Sequence, residues 1–148
     1  MDFNDGESPY SRNTFGESSV PYIINLKQEA LTNTHFFAAR WTDQNLQFAH
    51  MSVLAGMETG WNVYYDSTLF FYIEQGEALV LMGFCQECVD IQERSYAGHT
   101  IIVPAGTWYN VKNIGLSDLK LFAIFSPPVY SYNAAYRTKD EWTLYNGH

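Results

Sequence analysis

Short segments in which apolar and polar residues alternate dominate the chain after residue 20. In the segment 118–126, for example, Leu119, Leu121, Ala123 and Phe125 occupy alternate positions. Successive side chains of a strand point to opposite faces, so this pattern predicts a strand with one buried face. Other strands are predicted at Tyr22–Asn25, His35–Trp41, Leu46–Leu54, Leu69–Glu74, Glu77–Gly83, Val89–Ser95, Thr100–Val103 and Trp108–Asn113, and Trp61–Tyr65 is predicted to be extended.

Turn-forming residues connect these strands. Gln75-Gly76 fits the turn of a hairpin, and Pro104-Ala105-Gly106-Thr107 is a second turn. Helix is nearly absent, because only Leu26–Asn33 has room for one or two helical turns. Many short strands with turns between them indicate an all-β sandwich or barrel.

The chain divides into an arm and one domain. Its 148 residues suit a single domain. Residues 1–19 are rich in Ser, Asn, Gly and Asp and are expected to form a flexible N-terminal arm, with the barrel domain spanning residues 20–148. From Val129 the tail is polar and rich in tyrosine, and we expect it to be irregular and to lie over the outside of the barrel.

Charge and hydropathy exclude some partners. The net charge of −8 and the pI of about 4.8 disfavour binding to nucleic acids and to anionic membranes. No apolar run is long enough to cross a membrane, and the acidic N-terminus does not resemble a signal peptide. A cytoplasmic location is therefore expected.

Two segments carry a family resemblance. The segments 60–76 and 98–113 resemble, in order and spacing, the two signature motifs of the cupin superfamily. The second keeps Gly98, Pro104, Gly106 and Asn113 at the family's intervals. The resemblance to small single-domain bacterial cupins implies a jelly-roll β-barrel, and it implies a homodimer because such barrels commonly pair and leave a sheet edge to cover.

The resemblance breaks down at the positions of the family's metal ligands. The family uses about three histidines and one carboxylate or amide to hold a metal ion. In this chain, the four motif positions fall on Tyr64 (or Val63), Asp66 (or Tyr65), Leu69 and Tyr109. Two further family histidines would fall in the tail, where this chain has Tyr130 and Tyr136. No metal or other cofactor is therefore expected. Because tyrosinate can ligate iron, a Tyr–Asp–Tyr iron site is the alternative.

We therefore predict a metal-independent protein that binds a small molecule, a sugar or an aromatic metabolite, in an aromatic pocket. The first alternative is a cupin-type enzyme, an isomerase, dioxygenase or decarboxylase, or a metal-free catalyst with Tyr109 or Tyr64 as acid and Asp66 or His50 as base. The second alternative is a structural protein whose barrel is filled by side chains. The predicted pocket residues are Tyr64, Asp66, Leu69, Phe71, Tyr109 and His50.

Other reactive residues have ordinary interpretations. Cys85 and Cys88 form one C-x-x-C between two predicted strands, and we expect two reduced loop cysteines, with redox or metal use as the alternative. His50 lies within a predicted strand, where it is either a hydrogen-bonded packing residue or a pocket residue.

Overall fold

A computed structural model of the protein describes residues 20–146, so the predicted N-terminal arm, residues 1–19, lies outside the described residues. The alternating segments form antiparallel strands, as predicted, and the all-β prediction is confirmed. The elements are α1 (Leu26–Thr32), β1 (Phe37–Thr42), β2 (Gln47–Val53), β3 (Thr68–Gln75), β4 (Glu77–Gly83), β5 (Ile91–Tyr96), β6 (Thr100–Val103), β7 (Trp108–Asn113), β8 (Leu119–Ser126), β9 (Ala135–Tyr136) and α2 (Lys139–Asn146).

The strands form two sheets. The larger has the order β6-β3-β8-β2-β1-β9 and the smaller the order β5-β4-β7. The chain passes from one sheet to the other at Gly76, whose φ of 108° suits glycine. A Cβ at this position would lie 3.1 Å from the Leu119 Cα, so the turn leaves almost no room for a side chain.

The core lies between the two sheets, where the alternate residues of each strand meet. Leu119, Leu121, Ala123 and Phe125 of β8 are all buried there, as their spacing predicts. The outer face of the larger sheet is partly covered as well, because α1 packs across β2, β3 and β8. Residues on both faces of β2 are therefore buried.

The start of the described chain differs from the prediction. The segment Tyr22–Asn25 is not a strand. Asn25 instead caps α1, since its side chain accepts a hydrogen bond from the backbone N–H of Gln28 at 3.1 Å. Asparagine favours this capping position over a strand interior.

The tail is more ordered than predicted. The strand β9 pairs with β1, with Phe37 opposite Tyr136, and α2 follows it. A short motif begins this helix: the backbone N–H of Glu141 donates to Thr138 Oγ1, and the Glu141 carboxylate accepts from the backbone N–H of Arg137. This is a form of capping box, a signal that the sequence contains at 138–141. The expectation of an irregular tail was therefore wrong for these two elements.

The loop between β4 and β5 contains the two cysteines. The structure places Cys85 and Cys88 next to each other, with their Cα atoms 5.1 Å apart, and the expectation of two reduced cysteines stays a prediction. The backbone N–H of Cys88 also donates to the Cys85 carbonyl at 3.0 Å, and this tight turn places the two side chains side by side. Among the described helices, none is long and apolar enough to cross a membrane.

Candidate functional site

Four tyrosines from separate parts of the chain meet inside the barrel. Tyr64 comes from the β2–β3 loop, Tyr109 from β7, Tyr130 from the segment after β8, and Tyr136 from β9. The Tyr64 ring centroid lies 6.4 Å from that of Tyr109 and 6.2 Å from that of Tyr130, and the Tyr130 and Tyr136 centroids are 6.3 Å apart. We call these four residues the tyrosine cluster.

Backbone hydrogen bonds fix the loop that carries Tyr64. Asn62 and Tyr109 exchange two backbone hydrogen bonds of 2.9 Å each. The backbone N–H of Gly106 donates to the Tyr64 carbonyl at 2.9 Å. Gly106 has a φ of 82°, which suits glycine, so the second turn predicted from the sequence also holds the first motif in place.

The hydroxyls of three cluster members form a hydrogen-bond chain. Trp142 Nε1 donates to the Tyr130 hydroxyl at 2.9 Å, and the Tyr130 and Tyr64 hydroxyls form a short hydrogen bond. The Tyr64 hydroxyl also interacts with that of Tyr109. Because an indole N–H can only donate, the chain runs most favourably from Trp142 through Tyr130 and Tyr64 to Tyr109, with each bond polarising the next.

Burial keeps these phenols neutral. Desolvation, followed by the neighbouring phenols, raises the pKa values of Tyr64, Tyr109 and Tyr130 well above the ordinary tyrosine value. Loss of a proton would place an uncompensated charge in the barrel core. The cluster therefore offers hydroxyl donors and acceptors and aromatic faces, without a formal charge.

The structure brings together four of the six predicted pocket residues. Tyr64, Leu69, Phe71 and Tyr109 share the barrel core, and the Phe71 and Tyr109 ring centroids are 5.6 Å apart. At the first uncertain position, Tyr64 packs against the core cluster, while Val63 is buried but does not belong to that cluster. At the second, Tyr65 and Asp66 are both exposed.

Asp66 and His50 are not in the core cluster. Asp66 is exposed in the β2–β3 loop. His50 is fully buried, but it faces away from the barrel interior, since Ala49 and Met51 on either side of it belong to the core cluster. His50 Nδ1 instead accepts a hydrogen bond from Arg40 Nε at 3.2 Å. The acid–base pairs suggested by the sequence, a tyrosine with Asp66 or His50, are therefore not assembled.

Other residues of the site were missed or placed elsewhere by sequence reasoning. Tyr130 and Trp142 were assigned to an outer tail, yet both are buried. Phe37 packs on Tyr130 with a centroid distance of 4.5 Å, and Phe125 packs edge-on to Tyr64 and Tyr130. The alternation in β8 predicted that Phe125 is buried, whereas no local pattern places Trp142 in the barrel.

Alkaline titration tests whether the cluster is buried and neutral. We expect Tyr64, Tyr109 and Tyr130 to stay protonated above pH 10, the ordinary pKa of a tyrosine, in the native protein. Because the folded pKa values are raised, stability is intact below pH 10 and falls as the pH rises above it. Phenolate absorbance followed with pH should show a late step that coincides with unfolding. A single step near pH 10 in the folded protein would contradict this.

Comparisons with known proteins support this fold. No family model matches the chain. The chain is 32% identical to BH2720 of Bacillus halodurans, with a TM-score of 0.85 over 88% of this chain and 99% of that one. The fold of the Schizosaccharomyces pombe Cnp3 cupin domain is also similar, with a TM-score of 0.56 at 22% identity over 62% of this chain and 64% of that one. The chain belongs to the same family as BH2720, and its fold is the cupin fold.

A curated relative is longer than this chain. The chain is 34% identical over 119 residues to the uncharacterized protein YrkC of Bacillus subtilis (strain 168), which is 80% of this chain and 64% of YrkC. It thus spans just under two thirds of the length of that relative.

The donor set of this cupin-fold protein does not suit the metal ions that metal-dependent cupins hold. The positions that correspond to the family's ligands carry neutral phenols at Tyr64 and Tyr109 and an aliphatic side chain at Leu69. A phenol binds metal well only after losing its proton, which burial opposes here. Within residues 20–146, no three His, Cys, Asp or Glu side chains lie close enough together to hold a metal ion.

Proposed function

We propose that this cupin binds a small uncharged organic molecule without a metal ion, at the tyrosine cluster. The observation that carries the proposal is the replacement of the family's metal ligands by tyrosines whose hydroxyls join in one hydrogen-bond chain. Binding proteins commonly place a few oriented polar groups among aromatic walls. The cluster matches that description, with hydroxyls at its centre and aromatic faces around them.

The chemistry of the cluster favours an uncharged ligand. A charged ligand would be buried among neutral phenols with no opposite charge to pair with, which costs several kcal/mol or more. Hydroxyl groups on a ligand could replace the hydrogen bonds between the tyrosines, and ring faces could pack against its carbon skeleton. Sugars and uncharged phenols both carry such groups.

Access to the cluster lies at Tyr64 and Tyr136. Both side chains are half-buried, whereas Tyr109 and Tyr130 are almost fully buried. A ligand would therefore approach over Tyr64 and Tyr136 and take the place of the contact between the Tyr64 and Tyr130 hydroxyls. The Tyr109 hydroxyl, at the end of the chain, would then be free to bond it.

A ligand panel tests the proposal. The protein is first dialysed against a chelator, and its metal content is checked by elemental mass spectrometry. It is then heated with neutral hexoses and with monophenols as probes. A binding probe at about 100 times its Kd adds about 2.7 kcal/mol, which is a rise in Tm of roughly 5–10 °C. Tyr64→Phe and Tyr109→Phe should weaken that probe about fivefold to tenfold, because each removes one hydrogen bond.

Tyr65→Phe is the matched control, because it is the same change one residue away on an exposed side chain. It should bind the probe as the unchanged protein does. A probe that binds equally to all three variants would place the site elsewhere. About one equivalent of iron, manganese, nickel or zinc per chain, with binding lost on its removal, would overturn metal independence.

A filled barrel is the second candidate, and the packing of the rings favours it. Phe37, Phe125 and Tyr130 contact one another with centroid distances of 4.5–6.0 Å, and all are nearly inaccessible to solvent. In this case no probe of the panel raises the Tm, and Tyr109→Phe lowers stability without any ligand effect.

The homodimer inferred from the resemblance stays a prediction, supported by β6 and β5, which lie at sheet edges.

A further inference from the structure

A cavity lies outside the tyrosine cluster, between the end of β2 and the start of α2. Its volume is about 160 Å³, and it is half-enclosed. Apolar cavities of about 150 Å³ admit a molecule as large as benzene. Ordered elements form its walls, since the β2–β3 loop closes one side and the capped first turn of α2 closes the other.

The floor and one wall of the cavity are apolar. Phe36 and Val53 form the floor and are nearly fully buried. Leu54 and Met57 form the wall, yet they are 60% and 47% exposed. Leu54 and Met57 are therefore two neighbouring apolar side chains that remain open to water beside an apolar floor. A ring or a branched aliphatic group would cover this surface.

Two cations stand on the opposite wall. Arg137 and Lys139 both line the cavity. No carboxylate within the described chain lies at salt-bridge distance from either of them, whereas Arg94, Lys112 and Lys120 each have an acidic partner.

Two acidic residues, Glu58 and Asp140, also line the cavity. Glu58 lines the wall, but its two carboxylate oxygens face Lys112 Nζ at 3.9 Å and Asn110 Nδ2 at 3.0 Å. Asp140 is exposed on the first turn of α2. Arg137 is exposed as well, and neither Asp140 nor Glu58 forms an ion pair with Arg137 or Lys139, so both cations can attract an anion at the cavity mouth.

We propose that this cavity binds a small organic monoanion, a carboxylate on an aromatic or branched aliphatic body. The body lies on Phe36 and Val53 against Met57, and the carboxylate meets Arg137 and Lys139. The site is separate from the tyrosine cluster, which takes an uncharged molecule, so the two proposals can fail independently.

Benzoate is the probe, with benzyl alcohol as its uncharged counterpart. Titration of benzoate up to roughly 50 mM, followed by the methyl resonances of methionine, should shift Met57 and leave Met82, on β4, unchanged. Lys139→Gln and Arg137→Gln should each weaken benzoate binding at least fivefold and leave benzyl alcohol binding unchanged. Lys27→Gln removes an exposed cation on α1 and is the matched control, expected to bind benzoate normally.

The outcomes separate the possibilities. Benzoate that shifts Met57 and loses affinity in both α2-side variants supports the proposal. Benzoate that fails to saturate, or that binds all variants equally, overturns it. A cavity that prefers benzyl alcohol to benzoate overturns the assignment of an anion. Tyr109→Phe should leave benzoate binding unchanged, so a negative result for one site does not count against the other.

Discussion

Trp142→Ala is expected to destabilise the protein by about 3–5 kcal/mol, the largest effect of any single substitution considered for this chain. The indole is 3% exposed, and its ring packs on Phe36 with a centroid distance of 5.3 Å. Its Nε1 also donates to the Tyr130 hydroxyl. The substitution therefore opens a cavity and removes the first donor of the hydrogen-bond chain, and both effects act in the same direction. Urea unfolding measures the change.

Two further variants separate packing from hydrogen bonding. Trp142→Phe keeps most of the ring but loses the N–H donor, so it should cost less than Trp142→Ala. Leu144→Ala lies on the same helix at 84% exposure and should change stability by less than about 0.5 kcal/mol. If Trp142→Ala were as mild as Leu144→Ala, the helix α2 would not be packed on the barrel.

Acidification from pH 6.5 to pH 4 is expected to remove about 3 kcal/mol of stability through His50 alone. Burial, followed by the nearby Arg40 guanidinium, lowers the pKa of His50 to about 4. The unfolded chain, with a histidine pKa near 6.5, binds a proton in this range while the folded protein does not. Stability is therefore unaffected above pH 6.5 and falls as the pH drops toward 4.

His50→Gln tests this prediction, because glutamine cannot titrate. Carboxylates also titrate near pH 4, so the quantity to compare is the difference in unfolding free energy between the unchanged protein and the variant at each pH. That difference should change by about 3 kcal/mol between pH 6.5 and pH 4. His99→Gln, the same change at an exposed histidine, is the matched control. A constant difference for His50→Gln would mean that His50 is accessible to protons in the folded state.

Tyr109 and His50 show which features the sequence could predict and which only the tertiary structure decided. Pro104 and Gly106 fix the register of the second motif, so the sequence predicted that Tyr109 would replace a family ligand inside the barrel. His50 also lies in a correctly predicted strand, but its inward or outward direction could not be predicted. Strands such as β2 bury residues on both faces, here because α1 covers the outer one, and the alternation rule then no longer separates core from surface.

Local patterns thus determined most of the strands and the turn glycines, because periodicity and permissive backbone dihedrals act over a few residues. The tertiary structure alone decided that Tyr130 and Trp142 complete the barrel interior. It also decided that Asp66 stays outside it, and that Arg137 and Lys139 stand over a cavity. These arrangements depend on contacts between segments far apart in the chain, as between Tyr64 and Tyr130, and no local pattern carries such information.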